Sequence, residues 1–218
     1  SFKNILSIVP GMFMDDFSDL KTAGNLGFDG FVKGIYSDSS MPGFLMNLKI
    51  ADAMFQYPDL PTAISNIALD LKVDNSDGNM DNIGVNVSRF HMDLGSNPVD
   101  FSIVMDVLNS EDFDIKKAKV SAGIDLAEVS SFYPVEDLQM EGKFTMSTDI
   151  NGLYSEKKNS LPKVFSMLTL EEGKVVANEY NVTADDMTCN AWIKYSNDIK
   201  ASDTVFKVDH FGLTLDGE

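Results

Sequence analysis

Cysteine is almost absent from this chain: there is one, Cys189, in 218 residues. An internal disulfide therefore cannot form. Cys189 sits in Thr188-Cys189-Asn190-Ala191-Trp192-Ile193, alternating with polar neighbours, and reads as a small buried apolar residue. So low a count does not fix the compartment, because a periplasmic protein need carry no disulfide. Basic residues are scarce as well, 17 against 34 acidic, for a net charge of −17. That excludes nucleic acid as a partner and disfavours anionic membrane surfaces, whose affinity comes largely from Lys and Arg meeting phosphate. No apolar run reaches the length of about 18 residues that a spanning helix needs, and no leader pattern is present. A chain that opens Ser1-Phe2-Lys3 reads as a segment excised from something longer, any membrane anchor lying upstream. Catalytic signatures are missing too: there is no GxSxG, P-loop, HExxH or GxGxxG.

What the chain does have is apolar residues, 44% of the total, with 15 Phe and 12 Met, which excludes disorder. They alternate. Leu138, Met140, Phe144, Met146 and Ile150 fall on one side of an extended chain, and Gln139, Glu141, Lys143, Thr145, Ser147 and Asp149 on the other. The runs Ile67-Leu69-Leu71-Val73 and Val99-Phe101-Ile103-Met105-Val107 repeat the pattern. Between Val87 and Phe90 the phase slips by one, which predicts a β-bulge or a strand break. Asp77-Gly78 predicts a hairpin loop, and Ala51-Asp52-Ala53 and Glu171-Glu172-Gly173 read as tight turns. Helical signal is confined to Asn4–Phe13 and Leu126–Tyr133, the latter ending before Pro134.

The chain also repeats itself about 118 to 122 residues apart. Asp19-Leu20-Lys21-Thr22-Ala23-Gly24 answers to Asp137-Leu138-Gln139-Met140-Glu141-Gly142, and Gly34-Ile35-Tyr36-Ser37 to Gly152-Leu153-Tyr154-Ser155. Pro42 matches Pro162, Leu48-x-Ile50-Ala51-Asp52 matches Leu168-x-Leu170-Glu171-Glu172, and Phe90-x-Met92-x-Leu94 matches Phe211-x-Leu213-x-Leu215. Glycines, prolines and alternation repeat; no chemically reactive set does. The repeat is one of architecture. The expected fold is all-β and antiparallel, with about 12 to 16 strands and one or two short helices. It is a single β-rich region, 1–218, made of two copies, about 1–122 and 123–218. Either it curls into an elongated groove or it closes as a sandwich. A continuous sheet of about 14 strands would run some 65 Å.

The polar candidates have plain readings. His91-x-Asp93 and Asp209-His210 are too few for a metal site, which needs three or four converging ligands, and alternation puts His91 and Asp93 on the wet side. Asn75-Ser76-Asp77-Gly78-Asn79-Met80-Asp81 lacks the spacing of a calcium loop and reads as the hairpin turn. Asp15-Asp16, Glu171-Glu172 and Asp185-Asp186 are adjacent, unlike the cleft-spanning carboxyl pairs of glycosidases. No catalytic, cofactor-binding or metal-ligating residue is expected. The candidate functional surface is the apolar side itself: Phe44, Met46, Leu48, Ile50, Phe144, Met146 and Ile150. It lines either a core or a groove for acyl chains.

Phe17-x-Asp19-Leu20-Lys21-Thr22-x-Gly24 running on to Gly30-x-x-x-Gly34-x-Tyr36, Tyr57-Pro58-Asp59-Leu60-Pro61 before Asn66-Ile67, Phe90-His91, Asn97-Pro98-Val99-Asp100, and Gly123-Ile124-Asp125-Leu126-Ala127 before Pro134 follow one another in order. This succession resembles the C-terminal repeat region of the AsmA family of Gram-negative envelope proteins, over nearly the whole chain. The resemblance implies a β-rich periplasmic body, tethered to the inner membrane by a helix outside this chain. It implies a non-enzymatic role in outer-membrane assembly, with phospholipid acyl chains passed or held along an apolar β-groove. Other envelope proteins are then the expected protein partners. A closed sandwich displaying its acidic face to a protein partner, without ligand, is the alternative.

Overall fold

The computed structural model describes residues 21–36, 41–56, 62–79, 81–109, 111–132, 137–195 and 205–217. The helix expected over Asn4–Phe13 and the pair Asp15-Asp16 lie outside them. Ten strands form one antiparallel sheet in which spatial order equals chain order. They are β1 (Lys21–Lys33), β2 (Gly43–Gln56), β3 (Ile64–Asn75), β4 (Ile83–Leu94) and β5 (Asn97–Val107). After β6 (Asp112–Asp125) comes helix α1 (Leu126–Phe132), then β7 (Leu138–Ser155), β8 (Lys163–Ala177), β9 (Val182–Tyr195) and β10 (Val205–Gly217). Each strand packs on its sequence neighbours, and α1 packs on β6 and β7. Among the described residues the sheet does not close, and β1 and β10 are its edges. Of the two all-β architectures expected, the single open sheet is the one formed; the sandwich is not.

Among the described residues the strands number ten, against the 12 to 16 expected over the whole chain, and bulges keep long strands whole where the pattern breaks. In β4 the phase slip is absorbed at Ser88. Leu71 pairs with Val87 and Asp70 with Arg89, so both runs stay on one face. Ala51-Asp52-Ala53 and Glu171-Glu172-Gly173 are not turns. They lie inside β2 and β8, where Asp52 and Glu172 each take φ of 52° and the register skips. Left-handed backbone serves a bulge as well as a turn, and the residue types are the same.

These bulges stack. Gly24, Asp52 and Asn66 (φ 127°, 52° and 52°) follow one another across β1, β2 and β3. Gly142, Glu172 and Asp186 (φ 121°, 52° and 51°) do so across β7, β8 and β9. A bulge bends its strand, so bulges at one level in successive strands crease the sheet along the direction in which strands add. Glycine is required where strands press together: a Cβ on Gly24 would lie 2.5 Å from Ala53 Cα, and one on Gly142 would lie 2.7 Å from Gly173 Cα.

Polar locks hold the sheet ends. Asn75, fully buried, donates from Nδ2 to Asn79 O at 2.6 Å and accepts from Gly78 N at 2.6 Å, fixing the predicted Asp77-Gly78 hairpin. At the opposite end Asn97, 3% exposed, accepts from Asp125 N at 2.6 Å and donates to Leu94 O at 2.8 Å and Glu128 Oε2 at 3.0 Å. Asp125 Oδ1 in turn caps α1 through Ala127 N at 3.0 Å. Of the helix expected over Leu126–Tyr133, Leu126–Phe132 is present, tied to the β4–β5 turn.

Candidate functional site: an uncovered apolar face

Residues directly opposite in an antiparallel pair point to the same face, so the register defines rows across the sheet. One row runs Phe28, Leu48, Leu71, Val87, Ile103, Ala118, Ile150, Val164, Tyr195. The next crosses all ten strands: Leu26, Ile50, Leu69, Phe90, Phe101, Val120, Thr148, Ser166, Ile193, Phe206. On one side lies Met46-Val73-Val85-Met105-Ile115; on the other lie Ala122-Met146-Leu168-Ala191-Val208 and Ile124-Phe144-Leu170-Cys189-Phe211. The only hydroxyls in the ten-strand row, Thr148 and Ser166, bond each other at 2.6 Å.

Phe44, Met46, Leu48, Ile50, Phe144, Met146 and Ile150 all fall on this face and are partly buried. Alternation along each strand was enough to place them. Alternation also marks Leu71, Val87 and Ile103 as apolar-side residues; what it missed is that they and Ala118 join the two groups in one row. That row needed the register, which depends on loop lengths and bulges.

Nothing seals the face among the described residues. Apolar residues that are buried are Ala53, Ile67, Ala118 and Ala191, and the largest fully buried side chains are the polar Asn75 and Ser155. A closed core would bury Leu, Phe and Met outright. Nine inter-strand steps of about 4.8 Å span roughly 43 Å, and 12 residues along a strand about 40 Å. One side of the sheet is thus of order 1,700 Å², and the apolar rows cover enough of it to exceed the few hundred Å² that a soluble monomer commonly leaves as one patch.

The opposite face is mainly polar, with ion pairs across it, though Phe31, Leu45, Val104, Phe165, Met167 and Trp192 also lie there. Lys49 meets Asp70 at 3.4 Å, Lys119 meets Asp149 at 3.1 Å, and Lys116 lies between Asp114 and Asp106. The Asp114 and Asp106 carboxylates push the Lys116 ammonium above its usual range. A depression of 440 Å³ at β1–β4 is lined by the polar side chains Asp29, Asn47, Lys49, Asp70 and Lys72 together with Phe28, Leu48 and Leu71. Its polar groups meet one another or a neighbour: Lys49 pairs with Asp70, Lys72 with Asp74, and Asn47 Nδ2 donates to Asp29 Oδ2 at 2.9 Å. His91 is on this wet side, as alternation predicts, with Nδ1 2.8 Å from Asp100 and Nε2 3.3 Å from Asp93. Asp93 also accepts from Asn66 Nδ2 at 2.6 Å. His210 Nε2 bonds Thr188 at 3.0 Å. In the β3–β4 loop, Asp77 accepts from Asn79 N at 3.0 Å and Asn82 Nδ2 at 2.9 Å, so its oxygens serve the turn. Among the described residues, no three His, Cys, Asp or Glu side chains converge as a metal site. No family model, curated protein or solved structure matches this chain.

Proposed function

We propose that this chain is the lipid-holding β-sheet of an AsmA-like envelope protein. It sits in the periplasm and is tethered to the inner membrane by a segment outside this chain. It serves outer-membrane biogenesis without catalysing a reaction. Phospholipid acyl chains lie against the apolar face, held by the hydrophobic effect, while headgroups stay in water.

The observation that carries this reading is an apolar face with one row crossing ten strands, interrupted only by Thr148 and Ser166, and with no large apolar side chain among the described residues fully buried. Exposing that surface forgoes part of the 1.5–3 kcal/mol that burial of each Leu or Phe contributes, unless an apolar ligand restores it. Stacked bulges are compatible with it, since a crease along the sheet makes a trough of the face toward which it folds. The paired charges opposite suit the other face to water.

Native mass spectrometry of the protein purified from a bacterial envelope tests the reading. Bound phospholipid is expected, released by organic solvent and absent from a Met146→Asp variant. Protein that emerges free of lipid, and takes none up from vesicles, would defeat it.

A further inference from the structure

Strand β10 is a second β4 that lacks β4's outer neighbour. Toward their inner neighbours the two strands carry the same irregularities at the same places. The register passes over Ser88 in β4, between Val87 and Arg89, and Asp209 in β10, between Val208 and His210. A second bulge puts left-handed Asn66 across from Met92 in one pair and left-handed Asp186 across from Leu213 in the other. The outcome for the side chains differs. Phe90, Met92 and Leu94, beside β5, are partly buried. Their equivalents Phe211, Leu213 and Leu215 are 58%, 39% and 65% exposed. What β5 supplies to β4 is Phe101 opposite Phe90 and Val99 opposite Met92.

Among the described residues nothing pairs with the outer side of β10. Proteins commonly protect such an edge with proline or with charges pointing inward. β10 contains no proline, its bulges are those that β4 carries while pairing with β5, and Phe206, Val208, Phe211, Leu213 and Leu215 keep its side on the apolar face oily.

We propose that this edge is a docking site for a further β-hairpin of the β5–β6 kind, added antiparallel through the main chain. Its first strand carries apolar residues at alternate positions, with a bulky side chain across from Phe211 and a branched one across from Leu213. Main-chain hydrogen bonds supply affinity, and the alternate side chains supply register and specificity. The apolar rows then continue past β10 without a break. The inference rests on the equivalence of two strands and is independent of what the apolar face holds.

The chain's own hairpin is the probe. Peptides spanning residues 97–107 and 97–125 are added to the full chain, and hydrogen exchange is followed at the β10 amides from Phe206 to Leu215. Saturable slowing of at least tenfold is expected, lost when the peptide carries Phe101→Asp. Appending residues 95–125 after position 218 should protect the same amides without added peptide. No slowing by either peptide up to about 1 mM, together with none in the extended chain, overturns the proposal. Slowing that grows with protein concentration in the absence of peptide overturns it too, because β10 then pairs with a second copy of itself.

Discussion

Replacing Met146 with Asp separates an open apolar face from a sealed core. Met146 is partly buried, opposite Ala122 on β6 and Leu168 on β8. Partial burial of a Met side chain contributes about 1–2 kcal/mol, which the substitution forfeits. On an uncovered face the new carboxylate keeps its water, so little else is lost. Within a sealed core the same carboxylate would be an unpaired buried charge, costing a further 3–5 kcal/mol or so. Against a typical total stability of about 5–15 kcal/mol, the first loss is tolerated and the second often is not. Urea unfolding followed through Trp192, which has Phe165 6.1 Å away and Lys207 5.9 Å from its ring, measures the difference. The expected result is a cooperative transition lowered by about 1–2 kcal/mol and lipid uptake reduced at least tenfold. Ser147→Asp, one residue on and facing water, should leave both unchanged. A destabilisation above about 4 kcal/mol, or a folded variant that takes up lipid normally, would refute the reasoning.

Three other outcomes follow from the fold. Gly142→Ala should cost about 2–4 kcal/mol, since φ of 121° excludes a side chain and its Cβ would lie 2.7 Å from Gly173 Cα. Gly123→Ala, whose methyl would meet only Pro98 Cγ and Cδ, at 3.6 Å and 3.8 Å, is the mild control in the same denaturation assay. Asn97→Ala strands Asp125 N and Leu94 O at the end of the sheet and should lower stability by about 2–4 kcal/mol by urea titration. Ser155, paired with Asp112 across β6 and β7, and the Asn109 amide, which donates to Asp112 Oδ2 at 3.0 Å, hold the Asp112 carboxyl below its ordinary range. The stabilisation it provides is therefore complete above the ordinary carboxylate range and lost as pH falls through the lower, folded-state value. Ser155→Ala should accordingly raise the pH at which acid unfolding begins, read by circular dichroism.

The sequence speaks most clearly where one residue type has one physical consequence. Alternation from Leu138 to Ile150 means a strand with one oily side, and that side is where Phe144, Met146 and Ile150 are found. The slip between Val87 and Phe90 is legible because a β-strand cannot change phase without an extra residue. Asp52 and Glu172 are ambiguous by nature: a left-handed residue ends one strand and merely bends another, and the difference lies in whether a neighbour continues alongside. Closure is harder still. Whether an apolar face meets a second sheet or none depends on contacts between distant segments, and Leu48 reads the same either way. His91 could be placed on the wet side by alternation, but its approach to Asp100 across two strands appears only once Ala68, His91 and Asp100 are in register.

The most direct test uses a phospholipid bearing a photoreactive group midway along one acyl chain. The protein is loaded from vesicles, irradiated and digested, and the modified residues are read by mass spectrometry. Adducts are expected on the apolar side of β2, β7 and β8, at Met46, Leu48, Met146 and Leu168, and not on their wet-side neighbours Asn47, Lys49, Ser147 and Met167. Labelling confined to the wet side, or none above that of an unfolded control, would contradict the account.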